Sequence, residues 1–297
     1  MTRHLLHIGY PKSGSTYLQR WFAKHPQLAY VEGGIAGFRD VYAMARAGTK
    51  GGSAPLYRVT SCEGLSAPQP DAGQIVVDYD RARAVDLPAA QRHVCETLHD
   101  LFPNATVLIV TRGFRSMILS SYSQFVRSGG DAELGQLAAV AMAGPGHAEF
   151  DYLVYDHLIG AYTERFGAGN VIVMPYELLR DDPHAFTRIL SERLGIEPVQ
   201  GSRERVNESL SPVEMYWYPR LTRIARKIPS RRVFRRYVGA AFYNRLRTPI
   251  RILQRLRPGT PITDALIPDE VVELFRGRAE SLRNNPLYEN YKADYLL

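Results

Sequence analysis

The sequence predicts an α/β fold, a mostly parallel sheet sandwiched by helices with a basic helical segment near the C-terminal end. Three observations predict it. Short runs that are apolar or β-branched throughout alternate with stretches of helical period, as expected of strands buried on both faces and joined by crossover helices. A glycine-bounded turn, Gly9 to Gly14, follows the first such run and feeds a helix at once, and free N–H groups at a helix start favour an anion. A length of 297 residues, 45% hydrophobic and 23% charged, is ordinary globular usage and long enough to bury a substantial core. Residues 1–297 are expected to form one domain, with 213–262 as a basic amphipathic segment inside it.

The elements follow in chain order. Leu5, Leu6, His7 and Ile8 supply a strand near 4–9, and the pattern after Gly14 gives a helix at 15–24. Gly33-Gly34, Gly48 to Gly52 and Ser66 to Gly73 mark connections around strands at 57–61 and 75–78. A helix at 88–101 stops before Phe102-Pro103, and Val107 to Val110 make the centre of a buried strand at 106–111. Helices are expected at 115–128, at 131–143 between glycine pairs, and at 151–166; a strand at 171–175 then leads to Asp182-Pro183, which opens a helix at 183–194. Basic helices broken at Pro229 and Pro249 and a final helix at 268–284 complete the chain.

The turn reads Gly9-Tyr-Pro11-Lys12-Ser13-Gly14-Ser15-Thr16. Its glycines have the separation of a Walker A loop, but Ser15 stands where that loop has lysine, and the charge has moved to Lys12, before the second glycine. A second block, Thr106 to Phe125, sets Arg112 at the carboxyl end of a strand, where open sheets bind ligands, and Ser120 eight residues on, two turns into the next helix. Arginine suits phosphate because its fork gives bidentate contacts.

Pro-Lys-Ser-Gly-Ser-Thr resembles the phosphosulfate loop of sulfotransferases that use 3′-phosphoadenosine 5′-phosphosulfate (PAPS), of the bacterial type acting on glycans and lipids. The second block is similar to the same family's Arg-x7-Ser pair. The resemblance covers residues 4 to about 212 and implies a fold like that of P-loop NTPases. It implies that Pro11, Lys12, Ser13, Gly14, Ser15 and Thr16 hold the 5′-phosphate and sulfuryl oxygens and that Arg112 and Ser120 hold the 3′-phosphate. It also implies that Tyr176, in a Tyr-Glu-x-Leu stretch ending at Asp182-Pro183, lies near the adenine. Val206-Asn207-Glu-Ser209 looks like the family's Asn-x-Ser segment, and the resemblance implies Arg203 and Arg205 beside it as further candidates for the 3′-phosphate.

Sulfuryl transfer needs a base for the acceptor hydroxyl or amine. Family members use His or Glu near the end of the second sheet strand, and here Tyr57 to Glu63 delivers Glu63 at a strand end before a glycine; Asp78 is the alternative carboxylate. His93 and His99 fall in a helical pattern and read as surface or packing residues, and His7 as core. Lys12 is expected to stabilise the leaving oxygen, a scheme that needs no metal. The rival readings are a nucleotide-dependent kinase, which should keep lysine after the second glycine and take Mg²⁺, and a non-catalytic membrane-binding protein, which leaves the two phosphate blocks without a role.

Cys62 and Cys95 are the only cysteines, so neither a disulfide framework nor a paired Cys-x-x-Cys zinc site is present. Between Tyr218 and Arg257 lie thirteen basic residues and no acidic one, which leaves 24 basic against 30 acidic residues elsewhere. The positive charge is therefore one segment. Its interleaved Leu, Ile, Val and Phe recur at helical spacing, the pattern of helices that lie on anionic membranes or clamp acidic polymers. Sparse aromatics argue against nucleic acid. The expected acceptor is a glycan or glycolipid, and the expected location is cytoplasmic, peripheral at the inner face of the membrane, because no apolar leader precedes the first strand.

Overall fold

The computed structural model describes residues 3–30, 55–68, 86–143, 152–201, 210–228, 230–242 and 246–297. The strand expected at 75–78, with Asp78, lies outside them, as do Arg203, Arg205, Asn207, Ser209 and Pro229. The chain forms two compact units: Met1–Gly113 with Ala148–Val206 and Phe275–Leu297, and Phe114–His147 with Asn207–Leu274.

The first unit is built on a sheet of five strands, β1 (Arg3–Gly9), β2 (Leu28–Tyr30), β3 (Tyr57–Ser61), β4 (Thr106–Thr111) and β5 (Val171–Pro175). Their order is β2-β3-β1-β4-β5 and every neighbouring pair is parallel. Strand residues alternate between faces. Leu5, Val59, Leu108, Val110, Ile172 and Met174 pack in one cluster with Leu18, Trp21 and Phe22 of α1 (Ser15–Lys24) and Phe186, Leu190 and Leu194 of α7 (Pro183–Leu194). On the opposite face, α5 (Tyr155–Phe166) packs on β4, β5 and α2 (Leu87–Leu101).

Side-chain caps fix two helix starts in this unit. Asp86 accepts a hydrogen bond from the Ala89 N–H ahead of α2, and Asp182 accepts from His184 and Ala185 ahead of α7, each with proline in the first turn. Two elements escape the sequence reading. β2 is three residues long, too short for an alternation to register, and α6 (Tyr176–Asp181) is a short helix running straight on from β5. The helix expected from 151 begins at Tyr155.

The second unit contains α3 (Phe114–Arg127), α4 (Leu134–Ala143), α8 (Pro212–Arg226), α9 (Arg231–Phe242), α10 (Arg247–Leu256) and α11 (Asp269–Glu273). α8 starts with a capping box: Ser211 Oγ accepts from the Glu214 N–H, and Glu214 Oε2 accepts from the Ser211 N–H at 2.7 Å. Pro249 does not break a helix as expected. It sits in the first turn of α10, where its missing N–H leaves no hydrogen bond unmade. The final helix expected at 268–284 is α11 alone. Gly277, at φ +74°, turns the chain in the first unit, and 3-10 turns at Glu280–Leu282 and Pro286–Tyr295 follow.

Candidate active site

Parallel pairing sends four strand ends to one edge of the sheet. The turn after β1, the turn after β3, the residue after β4 and helix α6 after β5 carry Lys12, Glu63, Arg112 and Tyr176 respectively. The Tyr10 N–H donates to Val110 O at 2.8 Å, which anchors the start of the loop on β4. Gly9 has φ +99°, and a Cβ there would lie 3.1 Å from both Glu63 Cα and Ser66 Oγ. The loop is thus pressed against the turn Glu63–Leu65, and Glu63 itself is half-buried.

Lys12 and Gly14 both take left-handed backbone, at φ +64° and +85°. Left-handed residues on either side of Ser13 curl the chain into the kind of turn whose amides gather round an anion. A Cβ on Gly14 would stand 2.5 Å from Leu179 Cδ2 and 3.3 Å from the Tyr176 ring, so a side chain there would displace Leu179 and be strained at φ +85°. The Ser13 and Ser15 hydroxyls are buried and find no hydrogen-bond partner among the described residues. Two orphaned hydroxyls at a helix N-terminus fit the sulfuryl and phosphate oxygens of a nucleotide, since each costs about 1–3 kcal/mol if left unmatched. Pro11 and Thr16 are half-buried beside them.

Arg112 is held at both ends. Its Nη1 donates to Lys12 O at 2.6 Å and its guanidinium carbon sits 4.5 Å from the centre of the Tyr176 ring, which in turn faces Gly14. Its backbone O accepts from the Tyr155 hydroxyl at 2.5 Å. Burial lowers the Arg112 pKa, opposed by the surrounding Tyr176 and Glu177, and the group stays a cation.

The flanking residues are fixed by a buried chain of hydroxyls. Gly113 N–H donates to Glu177 Oε1 at 3.0 Å, and the Tyr295 hydroxyl donates to Glu177 Oε2 at 2.7 Å. Thr111 Oγ1 donates to Tyr295 Oη at 3.1 Å, which leaves the Tyr288 hydroxyl as donor to Thr111 at 2.7 Å. Each member polarises the next. Burial, then the Glu177 charge, raises the Tyr295 pKa well above its ordinary value, so its proton stays in place. Sequence reasoning missed Tyr155, Tyr288 and Tyr295. The one signal, for Tyr288 and Tyr295, is a tyrosine-rich C-terminal stretch with Tyr291.

The other sequence candidates fall as follows. Ser120 lies on α3 in the second unit, 3% exposed, with a hydroxyl that has no partner among the described residues. Arg115, in the same block, donates to Ile267 O at 3.1 Å and pairs with Asp269. His7 is core, as expected: Nδ1 meets Ser61 Oγ at 2.7 Å, and burial lowers its pKa to about 3. His93 is exposed on α2, and His99 packs edge-on against Phe166.

The sheet, the loop after its central strand and the arginine at the end of the neighbouring strand make an α/β protein with an anion-type turn at the carboxyl edge of a parallel sheet. The chain belongs to the sulfotransferase family, whose model matches residues 5–200, and its chemistry is sulfuryl transfer. Among solved structures it is similar to a sulfotransferase from Alicyclobacillus acidocaldarius, at 17% identity over 70% of this chain and 87% of that one, with a TM-score of 0.47. It is also similar to the mouse sulfotransferase SULT7A1 complexed with PAP, at 16% identity, with a TM-score of 0.34; the match covers 74% of this chain and 63% of the mouse chain. No curated protein sequence matches it.

Proposed function

We propose that this sulfotransferase, with PAPS as its co-substrate, sulfates a hydroxyl or amine of a glycan or glycolipid by in-line displacement. Bound PAPS supplies an activated sulfuryl group on a phosphate leaving group. Ser13, Ser15, Thr16 and the loop around Pro11 and Gly14 hold the 5′ end, and Arg112, Ser120, Arg203 and Arg205 serve the 3′-phosphate, with Tyr176 near the base. Glu63 takes the acceptor's proton as the new O–S or N–S bond forms. Lys12 directs its ammonium at the bridging oxygen, which gains charge as the old S–O bond breaks, so it favours the transition state over the ground state.

The observation that supports this best is the left-handed loop with two buried hydroxyls that have no partner among the described residues, tied to Arg112 through Lys12 O. Lysine before the second glycine, not after it, separates this loop from a kinase. Calorimetry of 3′-phosphoadenosine 5′-phosphate against ATP, with and without Mg²⁺, tests the reading. Tight metal-independent binding of the bisphosphate is expected, and preference for ATP with Mg²⁺ would move the protein to the kinases.

A lipid-linked acceptor goes with a second partner, an anionic membrane surface met by the basic helices of 218–257, and with a peripheral place on its inner face. Among the described residues no helix is long and apolar enough to cross a membrane.

A further inference from the structure

The basic residues of the second unit divide into two populations. Those of α8 are engaged within the unit: Arg220 and Arg223 both pair with Glu133, and Arg226 pairs with Asp131 at 3.1 Å while donating to Gly129 O. Arg247, at the start of α10, pairs with the buried Glu214 at 3.2 Å. Arg231, Arg232, Arg235 and Arg236 of α9, with Arg251, Arg255 and Arg257, are exposed and make no ion pair or hydrogen bond among the described residues. The four on α9 line an open concavity of about 600 Å³.

Aliphatic side chains share that exposure. On α10, Ile250 is buried and the Gln254 amide is bound to Trp217 and Gly259, which fixes the inner face. Helical spacing then sets Arg251, Ile252, Arg255 and Leu256 together on the outer one. Ile252 is 54% exposed and Leu256 75%. A soluble polyanion would match the guanidinium groups and leave these side chains in water. A bilayer carrying anionic headgroups accommodates both, with the arginines at the phosphates and the aliphatics at the acyl boundary.

We propose that α9 and α10 form a docking face for an anionic phospholipid bilayer, with Ile252 and Leu256 entering the interface, while the arginines of α8 hold the unit together and take no part. The inference sharpens the membrane reading above and does not depend on the identity of the sulfuryl donor.

The test is vesicle co-sedimentation of the full chain at low salt, on phosphatidylcholine alone and with phosphatidylglycerol. Each basic residue near such a surface contributes about a fivefold factor, so Arg231→Ala with Arg235→Ala should weaken binding about 30-fold. Ile252→Ser with Leu256→Ser should also weaken it clearly, and the exposed pair Lys24→Ala with Arg92→Ala in the first unit should leave it unchanged. Calorimetry of 3′-phosphoadenosine 5′-phosphate on the same preparations reports separately on the donor reading. Equal binding to neutral and anionic vesicles overturns the proposal. So does an arginine effect without an aliphatic one, which would assign the surface to a soluble polyanion.

Discussion

Arg112 of the first unit has its guanidinium against Lys12 O and the Tyr176 ring and its backbone against Tyr155, whereas Arg235 of the second unit extends into solvent without a partner among the described residues. The side chain is the same and the environment is opposite. In the proposed role a charge must sit correctly to within fractions of an ångström, and part-buried hydrogen bonds hold Arg112 before any ligand arrives. Attraction to a charged surface depends on charge density, and long mobile arginines supply that without being fixed. The α8 arginines are a third case, held by acidic partners to build the unit itself.

The largest expected effect falls on the held region. Lys12→Ala should lower kcat by roughly 10²- to 10³-fold, the cost of about 2.7–4 kcal/mol for losing one donor to a developing charge, while affinity for 3′-phosphoadenosine 5′-phosphate changes little. Single-turnover rates and calorimetry together check it. Equal losses of rate and affinity would remove Lys12 from the transition state. Next comes Arg112→Ala, which should weaken bisphosphate binding by about 10- to 150-fold, as for other charge-assisted bonds worth about 1.5–3 kcal/mol. Tyr295→Phe should weaken it several-fold alone and not at all in the Arg112→Ala background, because Tyr295 reaches the ligand only through the strand end. Additive losses in that cycle would make Tyr295 a packing residue and nothing more.

Much of this was legible in the sequence because it depends on local pattern. The run Val107–Val110 is uniformly apolar and Leu5–Ile8 is apolar but for His7, which reads as central strands, and Gly9 and Gly14 bracket the loop at the spacing an anion turn requires. What was not legible is non-local. Tyr155, Tyr288 and Tyr295 meet Thr111, Arg112 and Glu177 across 43 to 184 positions of chain, and no periodicity announces such a meeting. The division of the arginines was hidden for the same reason. Thirteen basic residues look alike in one segment until Glu133 and Asp131, about ninety positions away, select their partners.

Acid should expose the held region through His7. Its folded pKa lies near 3 because burial disfavours the charged ring, while in the unfolded chain it titrates near the ordinary 6.5. The unfolded state therefore takes up a proton first, and the stability His7 contributes is full above about pH 6.5 and falls as pH drops towards 3. At pH 5 the loss should be about 2 kcal/mol. His4, lowered to about 4 chiefly by burial, acts in the same direction. Urea melts at pH 7.5 and 5 on the wild type and His7→Gln check it. The variant should be the weaker protein at neutral pH yet lose less on acidification, and an unchanged pH slope would show that His7 is protonated in the fold.

The smallest expected effect is the sharpest test of the contrast. Lysine keeps the charge of arginine and loses its planar fork. If the α9 arginines act as charge density alone, Arg231→Lys with Arg235→Lys should leave partitioning onto anionic vesicles within about twofold of the wild type, since each residue contributes near the surface irrespective of its geometry. Arg112→Lys should behave otherwise, because a lysine offers neither the bidentate contact to phosphate nor the flat face that rests on Tyr176. A lysine swap on α9 that weakens vesicle binding as strongly as alanine would mean that these side chains are read by shape, and the distinction between held and loose arginines would then fail at the surface where it is drawn.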